Sequence, residues 1–193
     1  MILYRLLERA NFRVIAHRLY GVRITGAERI PEGSPAILVA NHESMFDPWL
    51  LALVTPRPVR YMAKAELWRL ALVGRAMEAF GAFPVERGTG DGSAMSRAAA
   101  LLQAGAVIGI FPQGTSKQLP GRVFHRGAAR LALVTGAPLV PVRLVGTRGL
   151  PRPGRRRTEV HVGEPIYVEP SKPTVAKARE LTDRLKQAIG ALA

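Results

Sequence analysis

The residues in this chain best suited to chemistry are a histidine and a carboxylate in one short stretch, Asn41-His42-Glu43-Ser44-Met45-Phe46-Asp47. A carboxylate that reaches back to an imidazole fixes its tautomer, and the pair then serves as general base for a hydroxyl nucleophile. The stretch follows an apolar run, Ala36 to Ala40, that reads as a buried strand, and precedes Pro48 to Val54, which reads as a helix. Loops that follow strands sit at the carboxyl edge of a sheet, where α/β proteins expose their sites. Plainer readings fit the same residues. His42 could be a loop histidine with a satisfied hydrogen bond, Asn41 a turn residue, and Asp47-Pro48 a helix start with Asp as N-cap. The heptad alone does not choose among them.

A second turn with chemical potential is Pro112-Gln113-Gly114-Thr115-Ser116-Lys117, after the buried strand expected over 106–111. Gly109 and Gly114 have the spacing that starts a phosphate-binding P-loop. However, Thr115 stands where the loop lysine is required, and Pro112 has no N–H to offer a phosphate. Gly88-Thr89-Gly90-Asp91-Gly92 invites a dinucleotide reading, but Ser93 replaces the last glycine and no strong strand precedes it. Both nucleotide readings fail on these residues.

Composition removes further classes. The 193 residues contain no cysteine, so disulfides, thiolate metal sites and a cysteine nucleophile are excluded. The four histidines, at 17, 42, 125 and 161, show no ligand spacing, and no metal site is expected. Lys and Arg number 28 against 14 acids, giving +14, a field that favours anionic lipid, nucleic acid or phosphorylated substrates. Nucleic acid is the weakest of these, because the bases are spread and no helix-turn-helix, zinc-finger or RNP signature is present. No run reaches the roughly 18–20 apolar residues of a membrane span. Arginines interrupt each apolar stretch near the N-terminus, so no cleaved signal is expected there.

The elements that must position these residues alternate. Residues 2–20 read as an amphipathic helix, with Arg5, Arg9 and Arg13 on one face and Leu3, Leu7, Ala10 and Val14 on another. Such a helix suits an anionic membrane surface, or equally a core-packing helix with a basic solvated side. Strands are expected at 22–25, 36–40, 59–63, 82–87, 106–111, 139–144 and 159–163, with Pro84 marking an edge strand. Helices are expected at 48–54, 66–79 (weakened at Gly74), 93–104, 127–135 and 174–192. Arg155-Arg156-Arg157 reads as a solvated surface and secondarily as a headgroup contact. Alternating strands and helices make an α/β single domain with a central sheet.

In order, the punctuation between these elements resembles the glycerolipid acyltransferase family, the lysophosphatidic acid acyltransferase-like proteins. Its Asn-His-x4-Asp motif is matched in full by Asn41-His42 to Asp47. Its glycine, apolar stretch and acid-arginine are matched by Gly81 to Glu86-Arg87, and its Phe-Pro-Glu-Gly-Thr-Arg by Phe111-Pro112-Gln113-Gly114-Thr115-Ser116. A basic-glycine step, Arg126-Gly127, and a Val140-Pro141-Val142 strand complete the series. The resemblance covers roughly residues 20–145. It departs at Gln113, where the family has glutamate, and at Ser116, where it often has arginine. Gln113 keeps hydrogen-bonding reach but loses charge, and Ser116 cannot make a bidentate phosphate contact.

The resemblance implies a mixed sheet flanked by helices, residues 21–193 forming the acyltransferase domain behind the 1–20 helix. It implies acyl transfer from a thioester, acyl-CoA or acyl-carrier protein, to a lysophospholipid hydroxyl such as that of 1-acylglycerol-3-phosphate, in phospholipid biosynthesis. His42 would be the base and Asp47 its orienting partner. Asn41, Arg87, Gln113, Gly114, Thr115 and Arg126 would contact substrate, with backbone N–H groups around Gly114 and Thr115 facing the oxyanion. Lys117, Arg122, Arg126 or Arg87 could replace the missing arginine. No bound cofactor is called for, since the thioester is already activated. The expected location is cytoplasmic, peripheral to the inner face of the cell membrane. Gln113 and Ser116 leave two alternatives open, a different polar acceptor or a non-catalytic lipid-binding relative.

Overall fold

The computed structural model describes residues 12–85, 92–114, 123–149 and 158–192. Arg5, Arg9, Glu86, Arg87, Thr115, Ser116, Lys117, Arg122 and Arg155 to Arg157 lie outside these ranges.

The chain alternates as its pattern predicts. Helix α1 (Phe12–Tyr20) leads to β1 (Val22–Thr25), then β2 (Ala36–Ala40), α2 (Asp47–Ala52), β3 (Val59–Lys64), a 3-10 turn (Ala65–Arg69), α3 (Ala71–Ala79) and β4 (Ala82–Val85). The second half runs α4 (Gly92–Gln103), β5 (Val107–Ile110), α5 (Gly127–Thr135), β6 (Leu139–Val145), β7 (Thr158–Val162) and α6 (Val175–Ala191). One seven-stranded sheet has the order β1-β7-β6-β2-β5-β3-β4. The five strands from β6 to β4 are parallel, whereas β7 is antiparallel to β6. The sheet is therefore mixed.

Strand β2 shows why these residues make a central strand. All five are fully buried, and period-two alternation divides them between two cores. Ala36, Leu38 and Ala40 face the core shared with Leu50, Leu51 and Tyr61, while Ile37 and Val39 face the one built with α4, α5 and α6. Pro84 lies in β4, the outermost strand, where its missing N–H is tolerated.

Two expectations need correcting. The helix expected over 66–79 is broken at Leu70, whose extended backbone (φ −99°, ψ 107°) separates the 3-10 turn from α3. The break is not at Gly74. That residue is buried, and a Cβ on it would lie 3.0 Å from Cδ1 of Trp68, so its lack of a side chain serves close packing. Likewise Asp47 is the first residue of α2 and Phe46 stands at the N-cap position. The Asp47 side chain is used elsewhere.

Candidate active site

Because β6, β2, β5, β3 and β4 run in one direction, their carboxyl ends share one edge of the sheet. Strands β2 and β5 are neighbours, so the loops after them meet, although 71 positions separate His42 from Gln113. The carboxyl edge is where the alternating pattern places such loops, and the strand order is what brings these two together.

The Asp47 carboxylate is fully buried and organises the loop around one oxygen. Its Oδ2 accepts from His42 Nδ1 at 2.8 Å, from the Glu43 N–H at 2.5 Å and from the Ser44 N–H at 2.8 Å. The turn thus wraps on a charge, which makes each bond stronger than its neutral counterpart. Since a carboxylate can only accept, the proton sits on Nδ1 of His42 and the ring's lone pair on Nε2. The imidazole stacks on Phe111, with ring centroids 4.3 Å apart and an interplanar angle of 27°. The second Asp47 oxygen, Oδ1, has no hydrogen-bond partner among the described residues.

Three contacts fix this loop to the rest of the molecule. Asn41 donates through Nδ2 to the Leu144 carbonyl at 2.8 Å and accepts at Oδ1 from the Leu144 N–H at 2.7 Å. Gln113 Oε1 accepts from the His42 N–H at 2.6 Å. Arg148 Nε donates to Glu43 Oε2 at 3.0 Å. Asn41, expected among the substrate contacts, therefore acts through position: its amide locks the end of β2 onto β6. Gln113 likewise clamps the backbone of the histidine. A glutamine oxygen can accept that N–H as a glutamate oxygen would, without the added strength of a charge, which gives the departure from the family motif a physical reading.

Gly114 also differs from expectation. Its N–H closes the turn onto the Phe111 carbonyl at 3.0 Å, with φ at +69°, and so is engaged within the loop rather than directed at an oxyanion. Thr115 and Arg87 fall outside the described residues. Arg126 is exposed at the start of α5, and with His125 and Arg130 it lines a cavity of about 380 Å³. The His125 N–H donates to the Pro112 carbonyl at 2.8 Å, joining that corner to the second motif.

His42 opens onto a much larger groove of about 1020 Å³. Trp49, Tyr61, Met77, Phe80, Ile110 and Phe111 make most of its wall apolar. The two cavities share Met95, His125 and Gly127, so the basic corner adjoins the apolar groove. Sequence reasoning did not find the roles of Phe111, Arg148 or Leu144 in this site. The Arg148–Glu43 pair spans 105 positions and leaves no local signal.

A buried carboxylate holding an imidazole beside an apolar groove is an arrangement able to carry general-base chemistry next to an aliphatic chain. The comparisons supply the class of protein. The family model described as Acyltransferase matches residues 21–145, and the chain belongs to that family. A Bacillus subtilis protein named 1-acyl-sn-glycerol-3-phosphate acyltransferase is 31% identical over 185 residues, covering 91% of this chain and 92% of that one. The human protein 1-acyl-sn-glycerol-3-phosphate acyltransferase alpha is 32% identical over 187 residues, covering 89% of this chain and 64% of the human one. The chain spans 54% of the length of a relative of the same activity name from Borreliella burgdorferi, at 34% identity over 67% of this chain. The crystal structure of the 1-acyl-sn-glycerophosphate acyltransferase PlsC from Thermotoga maritima shares the fold, with a TM-score of 0.66 over 88% of this chain and 70% of that one, at 24% identity.

Proposed function

We propose that this chain transfers a fatty acyl group from an acyl thioester to the free hydroxyl of a lysophospholipid, 1-acylglycerol-3-phosphate being the acceptor that the named relatives suggest. The observation that carries the mechanism is the 2.8 Å contact from His42 Nδ1 to the buried Asp47, at the mouth of the apolar groove. Nε2 of His42 takes the proton of the acceptor hydroxyl as its oxygen attacks the thioester carbonyl. The tetrahedral intermediate then expels the thiolate, which recovers that proton from the imidazolium, giving an ester and a free thiol. Asp47 stabilises the imidazolium between these steps. General-base assistance of this kind contributes about 10²–10⁴ in rate.

The groove accommodates the acyl chain, and Arg126 at the adjoining basic corner meets the acceptor phosphate, with Arg87 as a second cation. The donor is acyl-CoA or acyl-carrier protein. No described helix is long and apolar enough to cross a membrane, and substrate and product both reside in bilayers, so peripheral attachment to an anionic inner membrane face completes the reading. Gln113 still supplies the oxygen that clamps His42, which supports a catalytic reading over a non-catalytic binder.

The test is product formation from labelled acyl-CoA or acyl-carrier protein and a lysolipid panel, identified by mass spectrometry. Wild-type protein should acylate 1-acylglycerol-3-phosphate, and His42→Ala should lower turnover by about 10²–10⁴. Equal turnover of the two proteins would sink the mechanism, and acylation of another lysolipid alone would replace the acceptor.

A further inference from the structure

The segment from Ala65 to Ala79 has two faces with different occupants. Inward, Leu67, Val73 and Met77 line the groove. Outward, Leu70 is 67% exposed and Leu72 82% exposed, two of the larger apolar exposures among the described residues. Leu70, with its extended backbone, joins the 3-10 turn to α3. Met45, 86% exposed on the loop that carries His42, lines the same groove. Scattered exposed leucines need no explanation, but two on the outer side of a segment that borders a lipid-sized groove do.

Charge selects the occupant. Arg69 and Arg75 are exposed on this segment, and neither forms a described ion pair. Of its two acids, Glu78 accepts from Trp68 Nε1 at 3.1 Å, and Glu66 is exposed. The segment is locally balanced, so attraction comes from the whole chain, at +14. A cationic protein with leucines projecting beside an apolar groove fits an anionic bilayer better than another copy of itself, which would repel.

We propose that the Ala65–Ala79 segment is the membrane-facing rim of the groove, with Leu70 and Leu72 entering the headgroup–acyl boundary of an anionic phospholipid bilayer. The groove then opens directly onto the lipid phase, and the acceptor reaches His42 without leaving the membrane for water. This rests on the acyltransferase reading for its purpose, but not for its test.

The experiment uses the full chain, with Leu70→Asp/Leu72→Asp as the variant, and vesicles of phosphatidylcholine and phosphatidylglycerol. Flotation of the variant should fall by at least about tenfold, since two leucines lose their burial in lipid. Turnover of vesicle-borne lysolipid should fall with it, whereas turnover of a short-chain lysolipid and short acyl thioester, both below their critical micelle concentrations, should stay at the wild-type level. A second variant, Leu72→Trp, should gain fluorescence quenching by brominated lipids relative to the parent, whose tryptophans are at 49 and 68. Unchanged flotation, no added quenching, or equal loss of activity on the monomeric substrates would each overturn the proposal. If wild type floats and the double variant does not, while neither transfers acyl groups in any format, the docking rim stands and the enzymatic reading falls.

Discussion

The loop from Asn41 to Asp47 and the segment from Ala65 to Ala79 border the same groove, but they are built on opposite principles. In the loop nearly every polar group has an assigned partner: Asn41 on Leu144, the His42 N–H on Gln113, Glu43 on Arg148, and three donors on one oxygen of Asp47. The segment is held by packing, with Trp68 laid against Gly74, and leaves Leu70 and Leu72 uncovered. A proton transfer needs an imidazole fixed to within a fraction of an ångström. A lipid surface needs only apolar area and tolerates small changes in how it is presented. The difference predicts where mutations should hurt.

The severest should be Asp47→Asn. It removes the charge opposing the imidazolium while keeping the size of the side chain, and kcat should fall by about 10²–10⁴ with KM little changed. A loss confined to KM would mean that Asp47 shapes the acceptor site instead. Next is Gln113→Ala, which leaves the His42 N–H without its acceptor. Up to about 10²-fold in turnover should be lost through misplacement of the imidazole, with about 1–3 kcal/mol of stability. Gln113→Glu restores an acceptor oxygen and should behave like wild type. If glutamate instead raised activity strongly, charge at 113 would matter beyond the clamp.

Asn41→Ala should cost about 1–3 kcal/mol in chemical denaturation, because it leaves both backbone groups of Leu144 without the amide that pairs them. The smallest effect belongs to the other region. Gly74→Ala gains about 1 kcal/mol of helix propensity, offset by pressing a Cβ to 3.0 Å from the partly buried ring of Trp68. The net change should be near zero in the same denaturation measurement. A large loss there would show that the segment is as tightly specified as the loop from Asn41 to Asp47, and the contrast would collapse.

Much of this arrangement is legible in residue order. The apolar run of Ala36 to Ala40, the turn glycine that ends α5 at Gly136 with φ at +72°, and Pro84 on an edge strand each follow from local chemistry. The His42–Asp47 pair is also local, since five positions and one turn suffice to bring the groups together. The reading of Asp47 as an N-cap went astray because a cap and a back-turned carboxylate share the same Asp-Pro signature. The break at Leu70 was hidden because the segment's apolar spacing is helical on both sides of it.

What sequence alone determines here is the set of elements, the order of the motifs, and a chemistry without cysteine or P-loop. The tertiary structure decides the partners. Whether Asn41 touches substrate or Leu144 depends on β6 lying beside β2, and whether Gln113 meets an acceptor or clamps His42 depends on β5 lying on the other side. The physical reason is range. Periodicity and turn propensity are set by residues a few positions apart, whereas these bonds join groups separated by 71 and 103 positions, and only the strand order of the folded sheet brings them within reach.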